Sequence, residues 1–424
     1  MKSWLTGLKK TIRFMRRYFT RKIAAPLLFR FYALRPIRDD KILFVETHTD
    51  HLSSNYLQLF KRLETAYDLD IHFHFLDQGN WDVEKQGKMR FIRDAATARF
   101  LIYDNSNDLQ AGIGKRRGQK ILQTWHGAGA FKMFGYSAAS KLFGDNLKNI
   151  RRFPSSADYD LVTVSSPEVV WAYVEAMGKE KRPEVVQPVG LSRTDVFYDP
   201  VYIAGALEHV RQQIPQARGR KILLYAPTFR GGVRTATGPD QLDIPAFAEA
   251  FSEEYVLLIK HHPYVKNRPA IPASCRDFAF DVSEQLSIEE LICAADICIS
   301  DYSSLVFEFS LFERPMIFYA YDIADYEDWR GFYYPYDELT PGPVFYENEA
   351  MIAYIRDIDR LFDPSVVHAF REKFMSACDG HATERIMECF FGDRLEAFRR
   401  AVPLPESELP VRIAEKTREA LPQA

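Results

Sequence analysis

No Cys-x-x-Cys pair occurs among Cys275, Cys293, Cys298, Cys378 and Cys389, no Gly-Lys-Ser/Thr loop occurs anywhere, and no apolar run is long enough to cross a bilayer. The first absence excludes a zinc ribbon and reads the thiols as reduced residues of a cytosolic protein. The second excludes phosphate-loop ATPases. Gly112-Ile113-Gly114 lacks the rest of the dinucleotide fingerprint, so dehydrogenases are excluded as well. The third excludes a transmembrane helix and a signal peptide. Low-complexity tracts and short-period repeats are also missing. What remains is the composition of a soluble globular protein, 47% hydrophobic and 27% charged, and 424 residues suffice for two domains.

A local absence is as informative. Residues 1–38 contain neither Asp nor Glu but eleven Lys and Arg. Trp4, Leu8, Ile12, Met15, Phe19 and Ile23 recur at steps of three and four, so a helix here places an apolar stripe opposite a cationic face. This is the pattern of a segment that lies on an anionic membrane surface. The aromatics line one stripe rather than interleaving with the charges, which argues against a nucleic-acid arm. The plainer alternative is a packing helix with a solvated basic face.

Beyond residue 38 the chain alternates strand-like apolar runs with helical patterns: 41–46, 71–76, 100–103, 120–123, 160–164 and 185–189 in the first half. A polar stretch with a joint at Arg218-Gly219-Arg220 follows, and the alternation restarts with 221–226, 255–259, 297–300 and 316–319. Such alternation predicts an α/β fold with parallel sheets and helices on both faces. The expected organisation is a basic membrane-associating segment (1–38), an acceptor-side domain (39–200), a donor-side domain (219–380), and a C-terminal helix and tail (381–424). The Pro-punctuated sequence from Pro403 reads as a weakly held appendage.

Ligands of open α/β sheets bind beyond the carboxyl ends of the strands, and the polar residues of this chain collect there. Ser300-Asp301-Tyr302-Ser303-Ser304 precedes an apolar helix carrying Glu308, so its first N–H groups are available to phosphate. His126, in a glycine-bearing loop with Lys132, is a natural general base for an alcohol nucleophile. Lys260 and His262 alternate around His261 and project to one side, where both can meet one anionic group. Arg230, after Thr228, and Arg330-Gly331, within an aromatic stretch, add guanidinium forks that match phosphate. Together these form a diphosphate cradle. No carboxylate cluster at metal spacing accompanies it, and Glu308 is free to bind a sugar hydroxyl.

Eight ordered motifs resemble one family. They are Trp125-His126-Gly127 with Lys132 downstream, Gly190-Leu191-Ser192-Arg193-Thr194-Asp195, Tyr225-Ala226-Pro227-Thr228-Phe229-Arg230, Lys260 with His262-Pro263, Ser300 to Ser304, Tyr319-Ala320-Tyr321-Asp322, Arg330-Gly331-Phe332, and Pro341-Gly342-Pro343. The stretch from about residue 41 to 390 resembles the CDP-glycerol glycerophosphotransferase family, which primes and polymerises wall teichoic acid and teichoic-acid-like capsules. The resemblance implies a GT-B architecture with two Rossmann-like domains facing a cleft. It also implies a CDP-glycerol or related CDP-polyol donor, a lipid-linked acceptor, release of CMP, and action at the cytoplasmic face of the membrane as a peripheral enzyme. From the residues, no cofactor, no metal and no nucleic-acid partner is expected. On the resemblance, His126 is the base and His262 stabilises the donor phosphate or leaving group. Thr228, Arg230, Lys260, Asp301, Ser303, Ser304, Glu308, Arg330 and Gly331 hold the donor, and Lys132, Arg193 and Asp195 lie on the acceptor side. The chain departs from the family at Ser192, where proline is common, and at Ala128-Gly129, where Thr-Pro is common. Both positions are expected by the acceptor. The competing readings are a glycosyltransferase of the same architecture using a nucleotide sugar, and a non-catalytic factor that binds lipid-linked polymer.

Overall fold

The computed structural model describes residues 12, 15, 16, 18–47, 49–76, 81–139, 141, 142, 144, 146–232 and 235–421, without the side chains of 81–84 and 327–329. Trp4 and Leu8 of the expected apolar stripe lie outside the described residues. In the first half, strands β1 (Arg38–Glu46), β2 (Asp70–Phe75), β3 (Ala98–Tyr103), β4 (Lys120–Gln123), β5 (Leu161–Thr163) and β6 (Val186–Gln187) form one parallel sheet in the order β2-β1-β3-β4-β5-β6. In the second half, β7 (Lys221–Tyr225), β8 (Tyr255–Ile259), β9 (Ala279–Asp281), β10 (Ile297–Ser300), β11 (Met316–Tyr319) and β12 (Val344–Phe345) form another, ordered β12-β11-β10-β7-β8-β9. The strands are apolar because helices cover both faces: Ile42, Leu43, Phe44 and Val45 of β1, and Val256, Leu257 and Leu258 of β8, are all buried. This is the two-sheet α/β arrangement expected from the alternation. The short edge strands β9 and β12 are additions to it. They are three and two residues long, and the equally short β5 and β6 are readable only through the five-residue runs 160–164 and 185–189 that contain them.

Strand order reverses between β1 and β3 in the first sheet and between β7 and β10 in the second. Loops on either side of such a reversal splay apart and leave a crevice. The two sheets share a packed boundary. Met133 N–H donates to Gly331 O (3.0 Å) and Tyr333 N–H to Phe131 O (3.1 Å), so a segment of the first half pairs with one of the second. Gly331 has φ +77°, and a Cβ there would meet Lys141 and Met133.

The C-terminal segment returns to the first sheet. Phe390 and Phe391 pack on Phe100 with ring centroids 5.6 and 4.8 Å apart. Past Pro403 the expected loose tail is instead a helix, Leu409–Ala420, with Leu409 and Ala420 buried. Arg412 donates to the buried Glu64 carboxylate at 3.1 Å, which ties this helix to Ser54–Ala66. Lys416 also pairs with Glu64 (3.9 Å) and donates to the Ile71 carbonyl (3.0 Å), and Arg90 donates to the Ala420 carbonyl (2.5 Å), contacts between distant positions that a polar stretch does not announce.

Candidate active site

The loop after β4 builds the first wall. Trp125 takes a left-handed backbone conformation, φ 57°, which costs a non-glycine residue on the order of 1 kcal/mol. Its N–H donates to Gln123 Oε1 (2.9 Å), and its indole stacks on Phe134 (4.5 Å) and lies against the His126 ring (4.4 Å). His126 is thereby turned out of the strand direction. Its Nδ1 lies 3.1 Å from the Asp104 carbonyl oxygen. A carbonyl only accepts, so Nδ1 carries the proton and Nε2 keeps its lone pair, the tautomer of a general base.

Asp104, just past β3, is held in turn. Asn55 Nδ2 donates to its carboxylate at 2.8 Å and Ser53 Oγ at 3.1 Å. Ser53 N–H donates to Glu46 at the end of β1 (2.7 Å). Burial and the neighbouring Asp104 charge push the Glu46 carboxyl up to about 8. The reversal point of the first sheet therefore carries two buried carboxyl groups behind His126.

The second wall comes from the other sheet. His262 follows β8, its ring 4.8 Å from Phe229 and 4.7 Å from Tyr264. Tyr264 N–H donates to His262 Nδ1 (3.2 Å), so in the neutral ring the proton sits on Nε2. Burial, then the positive charges of Lys132 and Arg330 and the proximity of His126, lower His262 to about 4. The two histidines thus present opposite Nε2 chemistry, one a lone pair and the other an N–H. Between the walls lies a cavity of about 110 Å³ bordered by His126, Lys132, Phe134, Tyr173, Ser304 and Arg330, among others. Its charged border is wholly cationic.

The remaining expected residues divide into groups. Ser304 faces the His126 loop, since a Cβ at Gly127 would come within 3.3 Å of its Oγ. Ser303 Oγ accepts from Leu305 N–H at 3.3 Å, and the helix it begins, Leu305–Phe309, is only five residues long. Lys132 Nζ reaches Tyr326 Oη at 3.4 Å. Asp301 accepts from Thr228 N (2.9 Å), Thr228 Oγ1 (3.1 Å) and Tyr302 N (2.6 Å), closing the crevice between β7 and β10. Arg230 pairs with Asp301 (3.0 Å) and with Asp322 (2.6 Å). Burial disfavours its charge, but the two carboxylates more than offset this and raise the guanidinium above its ordinary value.

Lys260 Nζ donates to the carbonyls of Ser283 (2.9 Å) and Leu286 (2.5 Å), and His261 is buried. Glu308 is buried and accepts from Arg193 Nε at 2.5 Å, a contact between the two halves. Arg193 also donates to Asn55 Oδ1 (3.0 Å) and to the His126 carbonyl (3.2 Å). Asp195 accepts from Ala382 N (3.0 Å) and Thr383 N (2.8 Å), at the start of the helix that leads back to the first sheet. The structure therefore brings His126, Lys132, Ser304 and Arg330 around one cavity, with His262 outside its lining but near enough for Lys132, Arg330 and His126 to act on its charge. It sets Thr228, Arg230 and Asp301 in a cluster of their own, joins Arg193 to Glu308, and engages Lys260 and Asp195 elsewhere. Sequence reasoning missed Glu46, Asn55 and Asp104. Asp104 stands just beyond β3 and could have been found by the strand-end rule that singled out His126.

Comparison with known proteins agrees with this fold. Residues 27–392 match the family model described as CDP-Glycerol:Poly(glycerophosphate) glycerophosphotransferase. The chain belongs to this family. Its relatives include a teichoic acid ribitol-phosphate primase of Bacillus spizizenii, 32% identical over 84% of this chain and 92% of that protein. A teichoic acid glycerol-phosphate primase of Bacillus subtilis is 31% identical over 68% of this chain and 72% of the relative. The solved structure of the wall teichoic acid polymerase TagF superposes with a TM-score of 0.74 at 22% identity, covering 93% of this chain and 98% of the other, and so shares the GT-B fold. Of the two departures from the glycerophosphotransferase pattern, Ser192 is buried and bonds Thr383 Oγ1 (2.8 Å). Gly129 has φ +59°, and a Cβ there would strike the Phe307 ring, so this close approach requires glycine.

Proposed function

We propose that this chain moves a polyol phosphate from a CDP-activated donor to a hydroxyl of a lipid-linked acceptor, releasing CMP. The observation that carries the reading is the pair of histidines in complementary tautomers beside a cavity whose charged border is wholly cationic. The acceptor oxygen attacks the phosphorus that bears the polyol. A new P–O bond forms as the bridging P–O bond of the diphosphate breaks, and CMP departs with that electron pair. His126 Nε2 takes the acceptor proton. His262 Nε2–H, Lys132 and Arg330 stabilise the charge on the transferring and leaving phosphates, placed in advance in a partly closed site. A donor dianion beside His262 favours its protonation, so the ring becomes a stronger donor once the diphosphate is bound.

The acceptor's lipid calls for a membrane face, and the amino terminus supplies one. Among the described residues no helix is long and apolar enough to cross a membrane. Ile12, Met15, Phe19, Ile23, Leu27 and Phe31 are nevertheless exposed, on or beside the helical stretch that runs from Thr20 to Tyr32. With the basic residues around them they suit peripheral attachment to an anionic leaflet, the cytoplasmic one for an enzyme that uses a CDP donor.

The test is CMP release in the presence of a lipid-linked acceptor, with CDP-glycerol, CDP-ribitol and a UDP-sugar offered in parallel. Release from a CDP-polyol alone is the expected result. UDP release from the sugar donor, with none from either CDP-polyol, would replace this reading by a glycosyltransferase.

A further inference from the structure

Behind the His126 loop lies a second cavity, of about 530 Å³, within the range of small-molecule sites. Phe134 borders both cavities, so the two are separated by the ring on which Trp125 stacks. The lining combines three chemistries. Aromatic surface comes from Phe134, Tyr136 and Phe153, hydroxyls from Ser106, Ser155 and Ser156, and cations from Lys179, Lys181 and Arg182.

Its floor is tied to the amino-terminal helix. Arg21 pairs with the lining residue Asp108, and Arg21 and Lys22 stand over the Phe153 ring at 5.4 and 5.6 Å. Gly112 permits this approach, because a Cβ there would strike the Arg21 backbone. Lys179 is buried, with Nζ donating to the Ala157 carbonyl (2.9 Å) and lying over the Tyr159 ring at 5.3 Å. Lys181 and Arg182 are exposed at the rim, and Arg182 comes within 3.6 Å of the exposed Glu184. Aromatic faces and hydroxyls suit a sugar, and cations in the lining and at the rim suit a phosphate attached to it.

We propose that this cavity binds the phosphate-bearing sugar at the lipid-proximal end of the acceptor, between the helix with the exposed apolar stripe and the loop that carries His126. The inference rests on the polyol-phosphate transferase reading, which it deepens by giving the acceptor its own site, separate from the donor's. A lipid chain lying along the amino-terminal helix would enter beside Arg21 and Phe153. The growing end would pass Phe134 to reach His126 Nε2.

The test is calorimetric binding to the full chain of dodecyl-phosphoryl-glucose, glucose 1-phosphate, dodecyl phosphate, CDP-glycerol and CDP-ribitol, repeated with Lys181→Ala/Arg182→Ala. Both substituted residues are exposed, and unchanged CDP-glycerol affinity serves as the check on folding. The two glucose phosphates are expected to bind the native chain and to lose about tenfold or more in affinity in the double variant, as befits the loss of two charge-assisted contacts. Undiminished affinity in the variant, displacement of the probe by CDP-glycerol, or dodecyl phosphate binding as tightly as its glucosylated form would each overturn the proposal. If the native chain bound the glucose phosphates but neither CDP-glycerol nor CDP-ribitol, the donor reading would fail and the cavity assignment would stand.

Discussion

Two titratable groups near the cleft are displaced in opposite directions, and the displacement gives each a signature. His262, at about 4, is neutral across the physiological range, so its contribution to stability is complete above its ordinary value of 6.5 and is lost as pH falls through 4. Glu46 is displaced upwards, from 4.5 to about 8, by burial and by Asp104. Its contribution is complete below 4.5 and disappears as pH rises through 8, because the folded state then must hold a second buried charge beside Asp104. Glu46→Gln keeps the side chain's shape and an oxygen for the Ser53 N–H while removing the proton. The melting temperature of the native chain is therefore expected to fall relative to that of Glu46→Gln between pH 5 and pH 8.5, as read by calorimetry. Parallel curves for the two proteins would show that Glu46 does not titrate in this window.

At the scale of elements, a carboxylate of the Leu305–Phe309 helix reaches across to a residue between β6 and Pro200. Arg193 ties Glu308 to Asn55 and to the His126 carbonyl, so one guanidinium connects both halves with the loop of the proposed base. Arg193→Met leaves Glu308 buried without its partner and is expected to cost about 3 kcal/mol in unfolding free energy, whereas Arg193→Met/Glu308→Leu should recover a substantial part of it. Denaturant unfolding measures both, and a single variant as stable as the native chain would contradict the bridging role. Elements also mark the reach of sequence reasoning. The ten other strands were legible because each is, or lies within, an apolar run ended by turn residues, and the strand-end loops with His126, His262 and Asp301 followed from them. The partners of the cations were not legible. Arg230 meets Asp322, 92 positions away, and Lys260 meets two backbone carbonyls that no side-chain pattern announces. Residue type identified these as charged groups at strand ends, but only the fold shows which charges are already compensated.

The whole molecule joins two sheets, a returning C-terminal segment and an amino-terminal helix, and the proposed membrane attachment rests on the last of these. If the exposed stripe is the membrane face, Phe19→Ser/Ile23→Ser/Leu27→Ser should lower partitioning onto vesicles containing anionic lipid by about tenfold or more, from the loss of three large apolar side chains. Cosedimentation measures this, and equal binding by the variant would place the membrane contact elsewhere. Activity on a water-soluble acceptor should be retained, because the stripe makes no part of the cleft between the sheets. The account as a whole stands on the division of labour between the two histidines. Its most direct test is single-turnover CMP release from the CDP-polyol that the native chain accepts, with CDP-polyol binding measured in the same preparations of the native chain, His126→Ala and His262→Ala. Loss of a positioned base is expected to slow release by about 10²–10⁴-fold in His126→Ala with donor affinity unchanged, while His262→Ala loses both rate and donor affinity. Native-like release from His126→Ala would contradict the assignment of the base, and with it the central claim.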